Sequence, residues 1–171
     1  MISRRNLLLT VPGAAIGSVV VGGNSTSADE SAAERDEKLQ AARKRLMGKW
    51  KSDVKKSMEF NDEFVKLTKE QDHFLRNFLG RMTIEFEERS IECQMAPFKF
   101  TKLDGELFEE KDGWDERNEY DVLGYDEIND CISYRSTFAG FESVSTIFFE
   151  DEHLWTYSPG FHIREYFKRV T

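Results

Sequence analysis

Met82-Thr83-Ile84-Glu85-Phe86-Glu87 decides the fold: apolar and polar residues alternate strictly, the period of a strand with one buried face. Everything downstream follows that rhythm. Strands are expected at 82–87, 90–95, 98–103, 106–110, 118–123, 130–136, 143–149, 153–157 and 162–169, separated by short turn-forming clusters. Asp104-Gly105 is a two-residue hairpin signal, and Ser158-Pro159-Gly160 reads as a tight reversal that would set Tyr157 against Phe161 and Trp155 against Ile163. Parallel pairing needs a connection of a dozen or more residues, so the sheet must be antiparallel. The expected fold is mainly β: one antiparallel up-and-down β-barrel of about eight or nine strands, since closure removes exposed edges.

Upstream of Gly80 the period lengthens. Phe64, Leu67, Phe74, Leu75 and Phe78 recur at helical spacing, with Thr68-Lys69-Glu70-Gln71 as an internal capping box, which predicts one broken helix or two short ones over 62–79. Gly48-Lys49-Trp50-Lys51-Ser52 is a brief extended stretch ahead of it, the first strand. Residues 29–46 are rich in Ala, Glu, Lys and Arg and open with a capping box at Ser31 and Glu34; with Leu39 and Leu46 as its only large apolar residues, this polar helix is expected to lean on the domain.

Residues 1–28 hold no acid, carry Arg4-Arg5, and continue through Leu7-Leu8-Leu9 to Val19-Val20-Val21 and the small residues Thr26-Ser27-Ala28. This order resembles a bacterial twin-arginine export signal, cleaved so that the mature chain starts near Asp29. The competing reading is an uncleaved anchor, although five interspersed Gly and Pro residues make the stretch only mildly hydrophobic. The chain thus divides into a leader at 1–28, a helix or linker at 29–46 and a barrel at 47–171. Such a leader implies the translocase as a partner during export, no stable membrane anchor after cleavage, and a periplasmic or extracellular location.

The formal charge of the whole chain is −8, and losing the leader removes two arginines and no acid. An acidic surface with no basic stripe repels phosphate backbones, so nucleic acid is not an expected partner. Cys93 and Cys131 would close a loop worth about 4 kcal/mol if bridged. Phase argues against the bridge, because Cys93 is in step with Ile91 and Met95 while Cys131 is out of step with Ile132 and Tyr134.

Gly48-x-Trp50 on a first strand, helices, and an antiparallel meander ending in Glu165-Tyr166-Phe167-Lys168-Arg169-Val170 together resemble the calycin superfamily, lipocalin-like domains in particular, over residues 46–170. The resemblance implies that the Trp50 indole closes one barrel end under an arginine of the last strand, with Arg164 and Arg169 both matching that role. The helices between the first two strands look like the lid of fatty-acid-binding proteins, which would set Phe74 and Phe78 over the mouth and leave Ile84, Phe86, Tyr134 and Trp155 to line a site for a small apolar molecule. Fourteen Phe, all at or beyond Phe60, suit that picture and equally suit a narrow barrel filled to ordinary packing density.

His73, His153 and His162 have no ligand partners at metal spacing, and His162 is a haem-ligand candidate only through the resemblance. Glu109, Glu110, Asp112, Asp115, Glu116, Glu119 and Asp121 fit no calcium loop and read as a solvated hairpin tip around Trp114. No nucleophile elbow or phosphate loop is present in the sequence; a carboxylate inside the barrel, Glu165 for instance, is the one group suited to acid–base work. The expected protein is therefore a cofactor-free, metal-free, non-catalytic barrel that binds a small apolar or amphipathic ligand. The alternative is a filled barrel acting as an envelope interaction module through Trp114 and the acidic tip.

Overall fold

The computed structural model describes residues 31–138, 140–157 and 163–170. The leader, the first two residues of the 29–46 segment, the Ser158-Pro159-Gly160 reversal and His162 lie outside them.

In chain order the elements are α1 (Ala32–Leu46), β1 (Gly48–Ser52), α2 (Val54–Phe64), α3 (Lys69–Phe78), β2 (Met82–Phe86), β3 (Ser90–Met95), β4 (Phe98–Thr101), β5 (Leu107–Lys111), β6 (Trp114–Asp126), β7 (Cys131–Phe138), β8 (Phe141–Glu150), β9 (His153–Tyr157) and β10 (Arg164–Arg169). Eight strands close into a barrel in the order β1-β10-β9-β8-β7-β6-β3-β2. Each neighbouring pair is antiparallel. The β4–β5 hairpin, an excursion between β3 and β6, stands apart as a two-stranded sheet. No helix among the described residues is long and apolar enough to cross a membrane.

The alternation that begins at Met82 sets the inner face. Ile84 and Phe86 point in, opposite Trp50 and Ile91, and the inner cluster continues through Tyr120, Ile132, Tyr134, Ile147, Phe149, Leu154 and Phe167. Contrary to the expectation for a merely leaning helix, α1 belongs to this core: Leu46 is wholly buried, Ala42 nearly so, and both pack into the inner cluster. Few apolar residues suffice because the helix plugs a barrel end and presents only a narrow stripe. Its flanks are tied to the β6–β7 turn by Lys38 on Glu127 and by a bidentate Arg45–Asp130 pair at 2.7 and 2.9 Å.

β1 is short, and α2 completes what it leaves open. Where β1 stops pairing at Ser52, the Asp53 N–H donates to the Tyr166 carbonyl, Ser57 Oγ accepts the Tyr166 N–H, and the Asn61 side chain takes both the N–H and the carbonyl of Arg164. Ser57 and Asn61 are fully buried as a result. Helix α2 thus supplies side-chain hydrogen bonds to a strand edge that would otherwise be orphaned. It begins eight residues before the expected start at 62, with Asp53 as its N-cap. Helix α3 opens on the expected Thr68–Gln71 capping box, and Met58, Leu75, Leu79 and Ile163 form a second cluster beneath the helices.

Two expectations are corrected, and the phase argument against a Cys93–Cys131 bridge holds. β6 runs over thirteen residues, so Asp115, Glu116, Glu119 and Asp121 lie along a strand, with Glu109 and Glu110 on β5, and no acidic tip forms around Trp114. β9 and β10 pair with Tyr157 opposite Arg164 and Trp155 opposite Tyr166. That register is offset by three from the tight-reversal reading, an odd slip, and an odd slip exchanges the faces that meet. Cys93 and Cys131 are free thiols, Cys93 on the inner face and Cys131 on the outer face of β7 opposite Phe148.

Candidate ligand site inside the barrel

At the α1 end the barrel is shut. Trp50 is almost fully buried, its indole N–H donates to the Leu46 carbonyl at 2.8 Å, and the Arg169 guanidinium lies 4.2 Å over the ring. Arg169 also donates to the carbonyls of Met47 and Arg45. Gly48 has φ +110 and sits so close to this guanidinium that an added Cβ would fall 2.7 Å from Arg169 Nη1. The Gly-x-Trp spacing therefore has a local cause, since glycine alone lets the arginine reach the indole. Arg164, five residues earlier, is on the opposite face, stacked at 3.8 Å on Trp155 and 4.0 Å on Phe60.

Next to the plug, Phe86, Tyr120 and Tyr134 meet edge to face with centroids 5.6 to 5.9 Å apart. Ile84, Phe86 and Tyr134, three of the expected lining residues, are thus brought together and fill the barrel on this side. Trp155 is not among them. It stacks on Phe148 at 3.9 Å on the outer wall, a consequence of the register just described. Phe74 and Phe78 also stand elsewhere, stacked on each other and against Phe100 and Phe98 of the β4–β5 hairpin. Phe74, Phe100, Leu103 and His73 line a groove of about 510 Å³ there, with His73 Nε2 2.9 Å from the Thr101 carbonyl.

Toward the α2–α3 end the inner face changes character. The inward positions of β3 and β6 carry Cys93, Glu116 and Asn118; those of β7, β8 and β9 carry Ser136, Ser143, Ser145 and Thr156, all half-buried rather than packed away. Tyr134 stands opposite Ser145 across the β7–β8 pair, and the Asn118 amide donates to Glu116 at 2.9 Å. These polar lining residues carry no apolar alternation: residues 115–119 of β6 are polar on both faces, and on β8 only Ser143 and Ser145 flanking Val144 keep a period of two.

Glu165 is the buried charge of this half. It is 5% exposed, points inward between Ile163 and Phe167, and takes a 2.6 Å hydrogen bond from Ser52 Oγ, which itself accepts the Gly80 N–H at 2.8 Å. Among the described residues no donor is placed on its Oε2. Burial pushes the carboxyl up to about 7, with the Ser52 bond pulling weakly the other way. Burial likewise raises the Cys93 thiol to about 11, so it remains a neutral thiol at ordinary pH. Chemically, this half offers hydrogen-bond acceptors, one readily protonated carboxyl and soft apolar walls from Met82, Ile84 and Met95. Among the described residues, no group of three His, Cys, Asp or Glu is placed to hold a metal ion.

No family model matches the chain, and no curated protein matches it in sequence. A crystal structure of a point mutant of the fluorescent protein UnaG aligns with 75% of this chain and 98% of its own, at a TM-score of 0.32 and 11% identity. The strand order itself establishes the architecture: a closed, antiparallel up-and-down β-barrel with helices inserted between its first two strands.

Proposed function

We propose that the protein is an exported, lipocalin-like carrier that holds a small amphipathic molecule in the half of its barrel next to α2 and α3. The observation that carries this reading is the asymmetry of the inner face, packed with aromatic and aliphatic residues at the α1 end and lined by half-buried polar side chains around Glu165 at the other. A barrel serving only as a scaffold gains nothing from buried polar positions, because each unpaired one costs about 1 to 3 kcal/mol. Export is supported by the Arg4-Arg5 leader and its small-residue end at Ala28. The absence of a nucleophile elbow or phosphate loop in the sequence favours carriage over catalysis.

One preparation tests both parts. The full sequence is expressed in a bacterium with a twin-arginine pathway, recovered from the periplasm, and weighed by native mass spectrometry. The expected species is a chain beginning near Asp29 with an added small-molecule mass. A full-length precursor held in the cytoplasm contradicts export, and a bare mass that takes up no apolar dye contradicts carriage.

A further inference from the structure

Charge is distributed unevenly between the two faces of the barrel wall. Glu165 on β10 and Glu116 on β6 both take inward positions, and in the eight-strand ring β10 and β6 are four strands apart in either direction, on opposite walls. Among the described barrel strands, the basic residues look elsewhere. Lys49 pairs with Glu85, Lys168 with Asp53, Arg117 with Glu87 and Arg135 with Glu142, while Arg164 is stacked on the outer aromatics. Arg169, the one at an inward position, is consumed at the shut end by Trp50 and two backbone carbonyls.

We infer that the chamber takes a small organic cation, a protonated amine on an apolar body, with its ammonium set on the Glu165 carboxylate. The inference rests on the carrier reading above and names the ligand class for that site. Glu165 has Ser52 on one oxygen and, among the described residues, no donor on the other, so an ammonium supplies a second donor and neutralises the charge in one contact. A carboxylate ligand would meet the Glu165 carboxylate in a region of low dielectric where, among the described residues, no cation faces inward to receive it, and like charges there repel strongly. Elsewhere on the inner face the half-buried hydroxyls of Ser143 and Ser145 on β8 are acceptors for further donors. Met82, Ile84 and Met95 give the apolar body its contacts, the two methionines being able to adapt to an irregular shape.

Octylamine, 1-octanol and octanoate share one apolar body and differ only in the head. Calorimetric titration of each into the exported protein, near neutral pH and at physiological salt, separates the cases. Octylamine is expected to bind one-to-one, about tenfold more tightly than octanol, which corresponds to about 1.4 kcal/mol; octanoate should be weakest. Glu165→Gln should bring octylamine down to the octanol level and leave octanol unchanged. Octanoate binding as tightly as octylamine, or octylamine unaffected by the substitution, overturns the cation assignment while leaving the chamber intact. Failure of all three to bind removes the chamber itself. Should Glu165→Gln not fold, the ranking of the three heads on the unaltered protein still decides.

Discussion

With its carboxyl raised to about 7 from an ordinary 4.5, folded Glu165 holds a proton that the unfolded chain releases at lower pH. Between those two values the folded state binds more protons than the unfolded one, so this group's favourable share is complete below the window and lost as the pH rises through it. The size is on the order of 3 kcal/mol at most. Glu165→Gln should therefore gain stability relative to the parent as the pH climbs from about 5 to about 8, with little difference at the acid end. Denaturant titrations at several pH values measure this, and parallel curves for the two proteins would show that the carboxyl is not desolvated. At this scale the sequence was legible where spacing alone carried the information: Gly48 and Trp50 stand where the Gly-x-Trp pattern puts them. Choosing between Arg164 and Arg169 was beyond it, because residues five apart face opposite ways on a strand and only the register of the last hairpin settles which one reaches the indole.

Helix α2 is the element whose role depends most on buried polar atoms. Asn61 serves both the N–H and the carbonyl of Arg164, at 3.1 and 3.0 Å, from a position with no exposure. Removing the amide with Asn61→Ala strands both backbone groups at the edge of β10, and a loss of about 2 to 3 kcal/mol is expected in urea unfolding. A loss under about 0.5 kcal/mol would mean that water reaches that edge and α2 is not completing the barrel. Residues 54–61 of this helix were illegible for the same reason they matter: Ser57 and Asn61, its most buried positions, are polar and break the apolar period. The sequence reading starts this strand at 118, and residues 114–117 of β6 fall outside it because Asp115, Glu116 and Arg117 are polar on both faces. The β4–β5 hairpin was located correctly around Asp104-Gly105, but nothing local distinguishes a hairpin that joins the barrel from one that packs on α3 through Phe98 and Phe100.

For the whole molecule, period-two alternation after Gly80 was enough to predict a single antiparallel barrel, and the barrel closes with helices between its first two strands. Sequence left open whether the aromatic residues fill the interior or line a cavity. The structure assigns filling to one end, where α1, Trp50 and the Phe86–Tyr120–Tyr134 group pack together, and a polar, half-buried inner face to the other. The most direct test of this two-ended interior is a high-resolution crystal structure of the protein recovered from the periplasm. Ordered water or a bound small molecule should stand inside the barrel between Glu165, Cys93 and Ser145, with unbroken side-chain packing from Trp50 to Phe86. A continuous van der Waals fill through both ends, with Glu165 satisfied by protein atoms alone, would contradict the account.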